Sequence, residues 1–488
     1  MNEWARREFT SVGELRGPLL FVRGVSGVGW DEFATIRLNG STRRRGNGMD
    51  GASGSGAQVR HGLVLEAAGD LAVVQVLEGT AGMDPAGTAV EFSGSPLRIP
   101  VGTQWLGRVC NGRGEPRDGG PPVTGDVTMP VAGVPINPAA RQPPAEPVLT
   151  GVSVIDELTT LVRGQKLPIF SVAGLPHLEL AGQVAAQASA GGEPFSVVFA
   201  AMGLTHEDAA SIRATLEQRS AAGELVLLLN LADEPVIERI LTPRLALTVA
   251  EHLAFEQGRH VLVVMADMTS YCEALREVSA ARGELPARRA YPGYLYSDLA
   301  SLYERCGRIR GLPGSLTLMP VLTMPAGDIT HPVPDLTGYI TEGQIVLSAD
   351  LHARGIYPPV DALSSLSRLM RHGAGPGRTR DDHLDVAAQT LAALAAARRA
   401  RELAELIGTA ALSESDRRYQ QLERAFEVKL MSQGMAQSRA LGETLALAWQ
   451  VLGTLHRRDL TMLSAAALDQ YYQAGTVPGG TGSGDGHQ

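Results

Sequence analysis

Residues 167–187 read LPIFSVAGLPHLELAGQVAAQ, an apolar run followed by a glycine-containing turn and an alanine-rich stretch. The apolar run has the length of a buried strand, and the alanine-rich stretch is typical of a helix. Apolar runs return as FSVVFAAMG at 195–203, ELVLLLNLAD at 224–233 and RHVLVVMADM at 259–268, separated by helical patterns. Near-continuous apolar strands between helices are typical of a parallel sheet covered on both faces. The sequence therefore predicts a central α/β domain.

The stretch from Leu15 to Ile99 differs, because short β-branched runs alternate there with Gly, Asp and Asn. Such runs predict a small antiparallel barrel or sandwich. Within it, residues 39–56 (NGSTRRRGNGMDGASGSG) have almost no apolar side chains and cannot offset the entropy of their own ordering. We expect a mobile hairpin tip there. The arginine triplet at 43–45 allows a phosphate-binding interpretation, although blocks of like charge more often belong to a solvated loop.

Helix formers dominate the C-terminal part of the sequence. Thr379 with Asp382, and Ser413 with Asp416, have the spacing of a capping box at a helix N-terminus. The predicted fold class is α/β, with a small N-terminal β-barrel, a parallel α/β domain like that of P-loop nucleotide hydrolases, and a C-terminal helical domain. The predicted domains are the barrel at 1–99 with its insertion at 39–56, the α/β domain at 100–378, the helical domain at 379–478 and a disordered tail at 479–488.

Composition and charge exclude several classes of protein. The 488 residues include 43 Lys and Arg against 52 Asp and Glu, a formal net charge of −9, so general nucleic-acid binding is disfavoured. The cysteines Cys110, Cys272 and Cys306 lack the paired spacing of a zinc site or a disulfide framework, which predicts a reduced, cytosolic chain. The first residues lack the apolar core of a signal peptide, and no apolar run approaches the roughly 18 residues that span a bilayer. Membrane association is expected only through partners.

The turn after the first strand of the α/β domain occupies the position of a phosphate-binding loop. The pattern G-x-x-x-x-G-K-[ST] would place glycine at Ser171 and at Pro176, lysine at His177 and a hydroxyl at Leu178. Only Gly174 supplies the expected flexibility, and proline removes a backbone donor. The segment is therefore a degenerate phosphate loop that we do not expect to bind nucleotide tightly. An ordinary strand-to-helix turn is the alternative.

Of two further requirements of nucleotide hydrolysis, one is met only weakly and the other is not met. Asp267 closes the apolar run RHVLVVMAD, where a P-loop protein carries an acid, but an Asp after a buried strand is often only a helix N-cap. The run FAAMG is followed by Leu204 and Thr205, which offer no carboxylate to position water.

Other polar clusters have structural explanations. Asp381, Asp382, His383 and Asp385 could suggest a metal site, but contiguous residues on a helix cannot converge on one point, and acids suit a first helical turn. His331, between prolines in DITHPVPDL, is expected to fix a turn. No nucleophile motif is present, so covalent catalysis has no candidate. We predict no metal site in this chain.

Several longer blocks are recognisable. They include LGRVCNGRGEPRDGGPP at 106–122, YCEALREVSAARGELPARRAYPGYLYSDLASLYER at 271–305, LTMPAGDITHPVPDLTGYITEGQIVLS at 322–348 and SLSRLM at 365–370. On these blocks the sequence resembles the B subunits, or beta chains, of vacuolar and archaeal-type rotary ATPases, from about Leu15 to Arg418. It departs from them in the 39–56 insertion, in an Ala- and Arg-rich stretch at 392–401, and in its Gly-rich tail.

The resemblance implies a regulatory subunit that has lost the turnover machinery, which accounts for the degenerate loop. Such subunits alternate with catalytic A subunits in a six-membered ring around a rotating central shaft, held by peripheral stalk subunits. The motif SLSRLM implies that Arg368 is presented across the subunit interface to ATP or ADP with Mg²⁺ on the A subunit. A planar guanidinium suits this role because it can bridge phosphate oxygens.

The resemblance also implies coupling of ATP synthesis or hydrolysis to proton or sodium transport, on the cytoplasmic side of the membrane. The membrane would be reached only through the ion-translocating sector. Two alternatives stay open: a purely structural ring subunit, and an autonomous nucleotide hydrolase of the export or helicase kind. An intact Gly-Lys-Thr would favour the second, whereas this chain has Pro176-His177-Leu178.

Overall fold

A computed structural model describes residues 7–38, 58–408 and 412–474. The predicted hairpin tip at 39–56, its arginine triplet and the predicted tail at 479–488 lie outside the described residues. The chain divides into two compact units that interleave along the sequence. The first unit comprises Met1–Pro143, Gly164–Ala173 and Gly192–Thr341, and the second unit comprises Pro144–Arg163, Gly174–Gly191 and Glu342–Gln488. The residue bounds predicted for the domains stay predictions.

The strands in chain order are β1 (Arg7–Phe9), β2 (Val12–Arg16), β3 (Leu19–Arg23), β4 (Glu32–Leu38), β5 (Gln58–Ala68), β6 (Leu71–Val76), β7 (Thr88–Pro96), β8 (Arg98–Val101), β9 (Val109–Asn111), β10 (Val127–Pro130), β11 (Arg141–Gln142), β12 (Pro147–Val148), β13 (Leu161–Val162), β14 (Ile169–Ser171), β15 (Phe195–Leu204), β16 (Leu225–Leu231), β17 (His260–Ala266), β18 (Gly307–Ile309), β19 (Ser315–Thr323), β20 (Gly343–Val346) and β21 (Leu366–Ser367).

The helices are α1 (Ser153–Leu158), α2 (His177–Gln187), α3 (His206–Thr215), α4 (Glu217–Ala221), α5 (Val236–Glu251), α6 (Met268–Arg282), α7 (Leu295–Tyr303), α8 (Pro332–Ile340), α9 (Ala349–Ala353), α10 (Met370–Gly373), α11 (His383–Ile407), α12 (Glu414–Ala425), α13 (Leu441–Leu452) and α14 (Ala465–Tyr471). Over the described ranges, none of them is long and apolar enough to cross a membrane.

Seven strands of the first unit form an antiparallel sheet in the order β1-β7-β4-β5-β6-β3-β2. In β4, alternate residues from Glu32 to Leu38 are buried, and this period of two turns one face toward a core of aliphatic side chains and Phe92. The buried Glu32 is tolerated because its carboxylate accepts hydrogen bonds from the Gly29 N–H at 2.8 Å and the Gly94 N–H at 2.5 Å. The antiparallel character predicted from the sequence is confirmed.

The parallel sheet of the first unit has the order β14-β19-β17-β15-β16-β9. Strand β17 is buried along its whole length, which explains why its sequence shows no alternation. Helices α3 to α8 belong to the same unit. The strand-and-helix alternation predicted from the apolar runs is therefore confirmed, and the carboxyl ends of the parallel strands share one edge of the sheet.

The second unit is mainly helical and also holds the paired strands β12 with β13 and β20 with β21. Helix α11 packs against α12 and α13, and α1 packs against both α11 and α13. The capping box predicted at Ser413 and Asp416 is confirmed, because the Ser413 hydroxyl accepts the Asp416 N–H at 3.1 Å and the Asp416 carboxylate accepts the Ser413 N–H at 3.3 Å.

The capping box predicted at Thr379 and Asp382 is wrong. Asp382 precedes α11 but makes no side-chain cap. Its carboxylate instead accepts from the Arg380 guanidinium at 2.5 and 2.8 Å and from the Trp449 indole N–H at 2.7 Å. A charge-assisted pair and a buried indole donor compete better for this carboxylate than the single backbone N–H of Thr379 does. The Thr379 hydroxyl accepts from the Gly375 N–H at 2.8 Å.

All three cysteines are buried and free. Burial raises the pKa of the Cys110 thiol to about 11 and holds the pKa of the Cys272 thiol well above its usual range. These thiols stay protonated at neutral pH, so they are poor nucleophiles and metal ligands.

Candidate functional site

The segment predicted to be a degenerate phosphate loop runs from the end of β14 to the start of α2. Ser171 ends the strand, and Pro176 occupies the N-cap position of the helix without making a side-chain cap. Gly174 adopts a φ of +86°, a left-handed conformation that glycine reaches without strain. The strand, glycine turn and helix predicted here are confirmed.

The chemistry of this loop differs from that of a phosphate cradle. The His177 N–H donates to the Leu175 carbonyl at 2.8 Å, and the Nδ1 atom of the same ring lies 2.8 Å from that oxygen. The imidazole is therefore turned back onto its own loop. Pro176 has no N–H, and Leu178 has no hydroxyl for a magnesium ion. The Ser171 hydroxyl donates to the adjacent Val172 carbonyl at 3.1 Å.

The acid directly after β17, Asp267, has hydrogen-bond partners that give it a structural role. Asp267 caps α6, because its carboxylate accepts the Thr269 N–H at 2.8 Å, and it also accepts the Thr323 hydroxyl at 2.8 Å. The N-cap explanation given for this residue is thus confirmed. At the end of β15, Thr205 caps α3 by accepting the Asp208 N–H at 3.1 Å.

The acids and histidine at the start of α11 do not converge. Asp381 and Asp385 are exposed, whereas Asp382 is held by Arg380 as described above. The buried His383 ring lies 3.0 Å from the Glu157 carbonyl oxygen. Over residues 7–38, 58–408 and 412–474, no group of three or more His, Cys, Asp or Glu side chains is placed to hold a metal ion.

His331 fixes a turn, as expected. It is the N-cap of α8 and accepts the Val333 N–H at 3.4 Å through Nδ1. Its ring also lies edge-on to the Tyr291 ring, with centroids 5.5 Å apart. Burial lowers its pKa, so the neutral ring that can accept a hydrogen bond is the stable form at neutral pH.

Arg368 lies directly after the short β20–β21 pair of the second unit. Gly343 faces Ser367 and Gln344 faces Leu366 in this antiparallel pair. The next residues along the two strands are also hydrogen-bonded, because the Arg368 N–H donates to the Glu342 carbonyl at 2.9 Å. The backbone of Arg368 is therefore fixed, although its side chain is exposed.

The guanidinium of Arg368 makes no hydrogen bond or ion pair with any described residue. Most arginines within the described ranges contrast with it, as in the pairs Arg354 with Glu427 and Arg401 with Glu423. An arginine that is anchored through its backbone and unpaired at its tip can bind an anion from another molecule without first breaking an internal ion pair.

The chain is also held on the far side of Arg368, where α10 begins at Met370. The His372 N–H donates to the Leu369 carbonyl at 2.8 Å, and the His372 carbonyl accepts the Glu146 N–H at 3.1 Å. Gly373 packs closely, since a Cβ atom there would lie 2.8 Å from Cγ2 of Val162. The segment that presents Arg368 is thus tied down before and after the residue.

Three family models match the sequence. They are the ATP synthase alpha/beta family, beta-barrel domain, over residues 15–94, the nucleotide-binding domain of the same family over 151–367, and the C-terminal domain of V and A type ATP synthase over 372–472. The chain belongs to the ATP synthase alpha/beta family. This membership confirms the predicted architecture of β-barrel, nucleotide-binding α/β domain and helical domain. Arg368 falls between the second and third matches, so neither model covers it.

Individual relatives place this member of the ATP synthase alpha/beta family more narrowly. It is 50% identical over 474 residues to the B subunit of the A-type ATP synthase of Aeropyrum pernix, covering 96% of this chain and 99% of that protein. It also matches the structure of a unique ATP synthase subunit, NeqB, from Nanoarcheaum equitans, with a TM-score of 0.68 and 35% identity over 86% of this chain and 98% of that chain. The chain therefore groups with the B subunits of rotary ATP synthases, as the sequence blocks predicted.

Sequence reasoning missed the residues that support Arg368. The Asp361 side chain accepts a backbone N–H within the turn before β21, and the Ser365 hydroxyl accepts the N–H of Val346 in β20. The run VDALSS from 360 to 365 carries a signal for a turn, because Asp and Ser side chains often bond to nearby backbone groups. Nothing in that run reveals the strand to which the turn is attached.

Proposed function

We propose that this chain is the non-catalytic, regulatory B subunit of a rotary ATP synthase and that it supplies Arg368 to a nucleotide held by a catalytic A subunit. The observation that carries the proposal is the exposed, unpaired guanidinium of Arg368 on a backbone fixed at both sides. The motif SLSRLM, whose resemblance implied this role, supports the same residue.

The chemistry favours an arginine in this position. During phosphoryl transfer, negative charge spreads over the oxygens of the transferring group, and an arginine supplied in trans stabilises that charge. Arg368 would stay charged throughout the cycle and offer two parallel N–H donors to the phosphate oxygens. Its contribution to rate would be about 10³ to 10⁵-fold, or about 4 to 7 kcal/mol of the barrier.

The degenerate loop supports a non-catalytic role for the chain itself. Pro176, His177 and Leu178 lack the backbone donor, the lysine and the hydroxyl that a P-loop needs. Asp267 is occupied as the cap of α6. ATP or ADP with Mg²⁺ would therefore be bound mainly by the A subunit, with Arg368 added from this chain.

The proposed assembly is a six-membered ring in which B and A subunits alternate around a central shaft, with peripheral stalk subunits outside. Ring closure around nucleotide would couple ATP synthesis or hydrolysis to ion transport through the C-terminal helices. The complex would lie on the cytoplasmic side of the membrane and reach it through the ion-translocating sector. The net charge of −9 argues against a nucleic-acid partner.

The test is ATP turnover by a ring reconstituted from this chain and its A subunit. Arg368→Ala should lower turnover at least a hundredfold while the ring still assembles, and Arg368→Lys should recover only part of the loss. Arg371→Ala is the matched control, because Arg371 is also exposed and its side chain has no hydrogen bond or ion pair among the described residues. That variant should stay within about threefold of wild type, well below 1.4 kcal/mol.

The rivals predict different results. A purely structural subunit would give an Arg368→Ala ring that assembles and turns over at the wild-type rate. An autonomous nucleotide hydrolase would show ATP turnover in the isolated chain, without the A subunit. Native mass spectrometry run beside the rate assay separates lost assembly from lost chemistry.

A further inference from the structure

The turn that precedes Arg368 is built by one carboxylate. The Asp361 side chain accepts the Leu363 N–H at 3.0 Å, the Ser364 N–H at 3.2 Å and the Ser364 hydroxyl at 2.7 Å. An Asp side chain that binds the backbone two and three residues ahead closes an Asx-type turn. Residues 361–364 are therefore held in one conformation by Asp361.

A serine then attaches this turn to strand β20. The Ser365 hydroxyl donates to the Asp361 carbonyl at 2.7 Å and accepts the Val346 N–H at 2.9 Å. The Asp361 N–H donates to the Val346 carbonyl at 2.8 Å. The turn is thus bound to Val346 of β20 from both of its ends, and the Gln344 side-chain amide of β20 also donates to the Ser364 carbonyl at 3.2 Å. Ser365 is buried.

The chain passes from this turn to Arg368 through the two residues of β21. Because β21 is so short, its two pairings with β20 fix its register only weakly without the turn. The guanidinium of Arg368 has no partner among the described residues, so it does not hold itself in place. On its N-terminal side, Arg368 is therefore positioned by the Asp361 turn, by β20 with the Glu342 carbonyl, and by the Ser367 hydroxyl, which donates to the Thr160 carbonyl at 3.2 Å. The contacts of His372 and Gly373 hold the chain on the other side.

We propose that Asp361 and Ser365 are positioning residues for Arg368, and that they set the distance and angle at which its guanidinium meets the transferring phosphoryl group. This inference rests on the proposed function. Its physical basis is that a misplacement of about 1 Å in a catalytic group costs on the order of a hundredfold in rate. Losing either residue should thus slow turnover without removing the arginine.

An ion pair with helix α11 contributes less. Arg398 reaches the Asp361 carboxylate at 3.3 Å, but 42% of its side chain is exposed, and exposed pairs of this kind are weak. Asparagine at position 361 would lose this pair yet keep an oxygen that accepts the two backbone N–H groups. Its Nδ2 group would replace the oxygen that accepts the Ser364 hydroxyl and would donate to that hydroxyl oxygen instead. Asp361→Asn therefore isolates the turn from the charge.

The experiment measures kcat, KM for ATP and thermal stability of the reconstituted ring. Asp361→Ala and Ser365→Ala should each lower kcat at least tenfold with KM within threefold of wild type, whereas Asp361→Asn should keep kcat within threefold. Ser413→Ala is the matched control, because it removes the hydroxyl of a capping serine elsewhere in the second unit. It should lower stability to a similar degree as Ser365→Ala and leave kcat unchanged.

A double-mutant cycle completes the test. In an Arg368→Ala background, adding Asp361→Ala or Ser365→Ala should change kcat less than twofold, because no guanidinium is left to position. Full wild-type kcat in both single alanine variants, or equal losses with and without Arg368, would overturn the inference while leaving the role of Arg368 intact. Wild-type turnover by the Arg368→Ala ring alone would instead overturn the proposed function.

Discussion

A buried glutamate in the second unit should make the stability of this chain depend on pH. Glu157, in α1, is completely buried. One of its carboxylate oxygens accepts the Thr390 hydroxyl at 3.0 Å, and the other has no hydrogen-bond partner among the described residues. Burial raises the pKa of this carboxyl from 4.5 to about 8, so the folded chain keeps it protonated at neutral pH.

Proton linkage gives the direction and the size of this pH dependence of stability. The unfolded chain releases this proton near pH 4.5, whereas the folded chain holds it to about pH 8. Stability from this group is therefore complete below pH 4.5 and is lost as pH rises toward 8. At about 1.4 kcal/mol per pH unit, the loss across this window approaches 5 kcal/mol as an upper limit.

Glu157→Gln is the informative change, because glutamine is neutral at every pH and keeps an acceptor for the Thr390 hydroxyl. The variant should match wild type near pH 5 and unfold at a higher temperature at pH 8. Nearby groups titrate too, since burial raises the pKa of Asp156 to about 6 and lowers that of His383. Both are present in each protein, so their effects cancel in the difference.

Differential scanning calorimetry of the purified chains at pH 5, 6.5 and 8 provides the measurement. Glu405→Gln, at an exposed site of α11, is the matched control and should follow the wild-type profile. If the unfolding temperatures of wild type and Glu157→Gln changed with pH by the same amount, the assignment of a neutral, buried carboxyl at this position would be refuted.

Three further outcomes are expected. Calorimetry on the isolated chain should detect no Mg-ATP binding with a Kd below about 1 μM (about −8 kcal/mol), and tighter binding would show that the degenerate loop still works. Deleting residues 39–56 and closing the hairpin should leave ring assembly intact by native mass spectrometry, because β4 and β5 already pair up to Leu38 and Gln58. Lost assembly would make the insertion an interface element. Gly373→Ala should lower the Tm of the chain, because the new Cβ would lie 2.8 Å from Val162, at a cost of about 1 to 3 kcal/mol of stability. Gly442→Ala is the control, since a Cβ there meets open space and should leave the Tm unchanged. Equal Tm values for the two variants would contradict the packing argument.

The sequence was most informative where local pattern decides structure. The apolar run ending at Ser171, the turn at Gly174 and the helix from His177 follow from residues that are neighbours in the chain. The capping box at Ser413 is equally local. The box predicted at Thr379 failed because Asp382 meets Trp449, a residue 67 positions away that no local pattern can place.

The residues of the candidate site differ in the same respect. The family resemblance of the motif SLSRLM implies a role for Arg368, which stays a prediction, and the missing P-loop chemistry follows from three adjacent residues. The residues that hold Arg368 in place could not be predicted from the sequence. Ser365 and Asp361 bind Val346, which precedes them by more than a dozen residues. Pairing across such a distance depends on strand register, and short strands carry little sequence information about it.

The central claim is that Arg368 stabilises charge in the transition state on a neighbouring subunit. Binding of a transition-state analogue, ADP with aluminium fluoride and Mg²⁺, to the reconstituted ring tests this most directly. The Arg368→Ala ring should bind the analogue at least a hundredfold more weakly than wild type, while its affinity for Mg-ADP changes less than threefold. Equal affinity of both rings for the analogue would contradict the account.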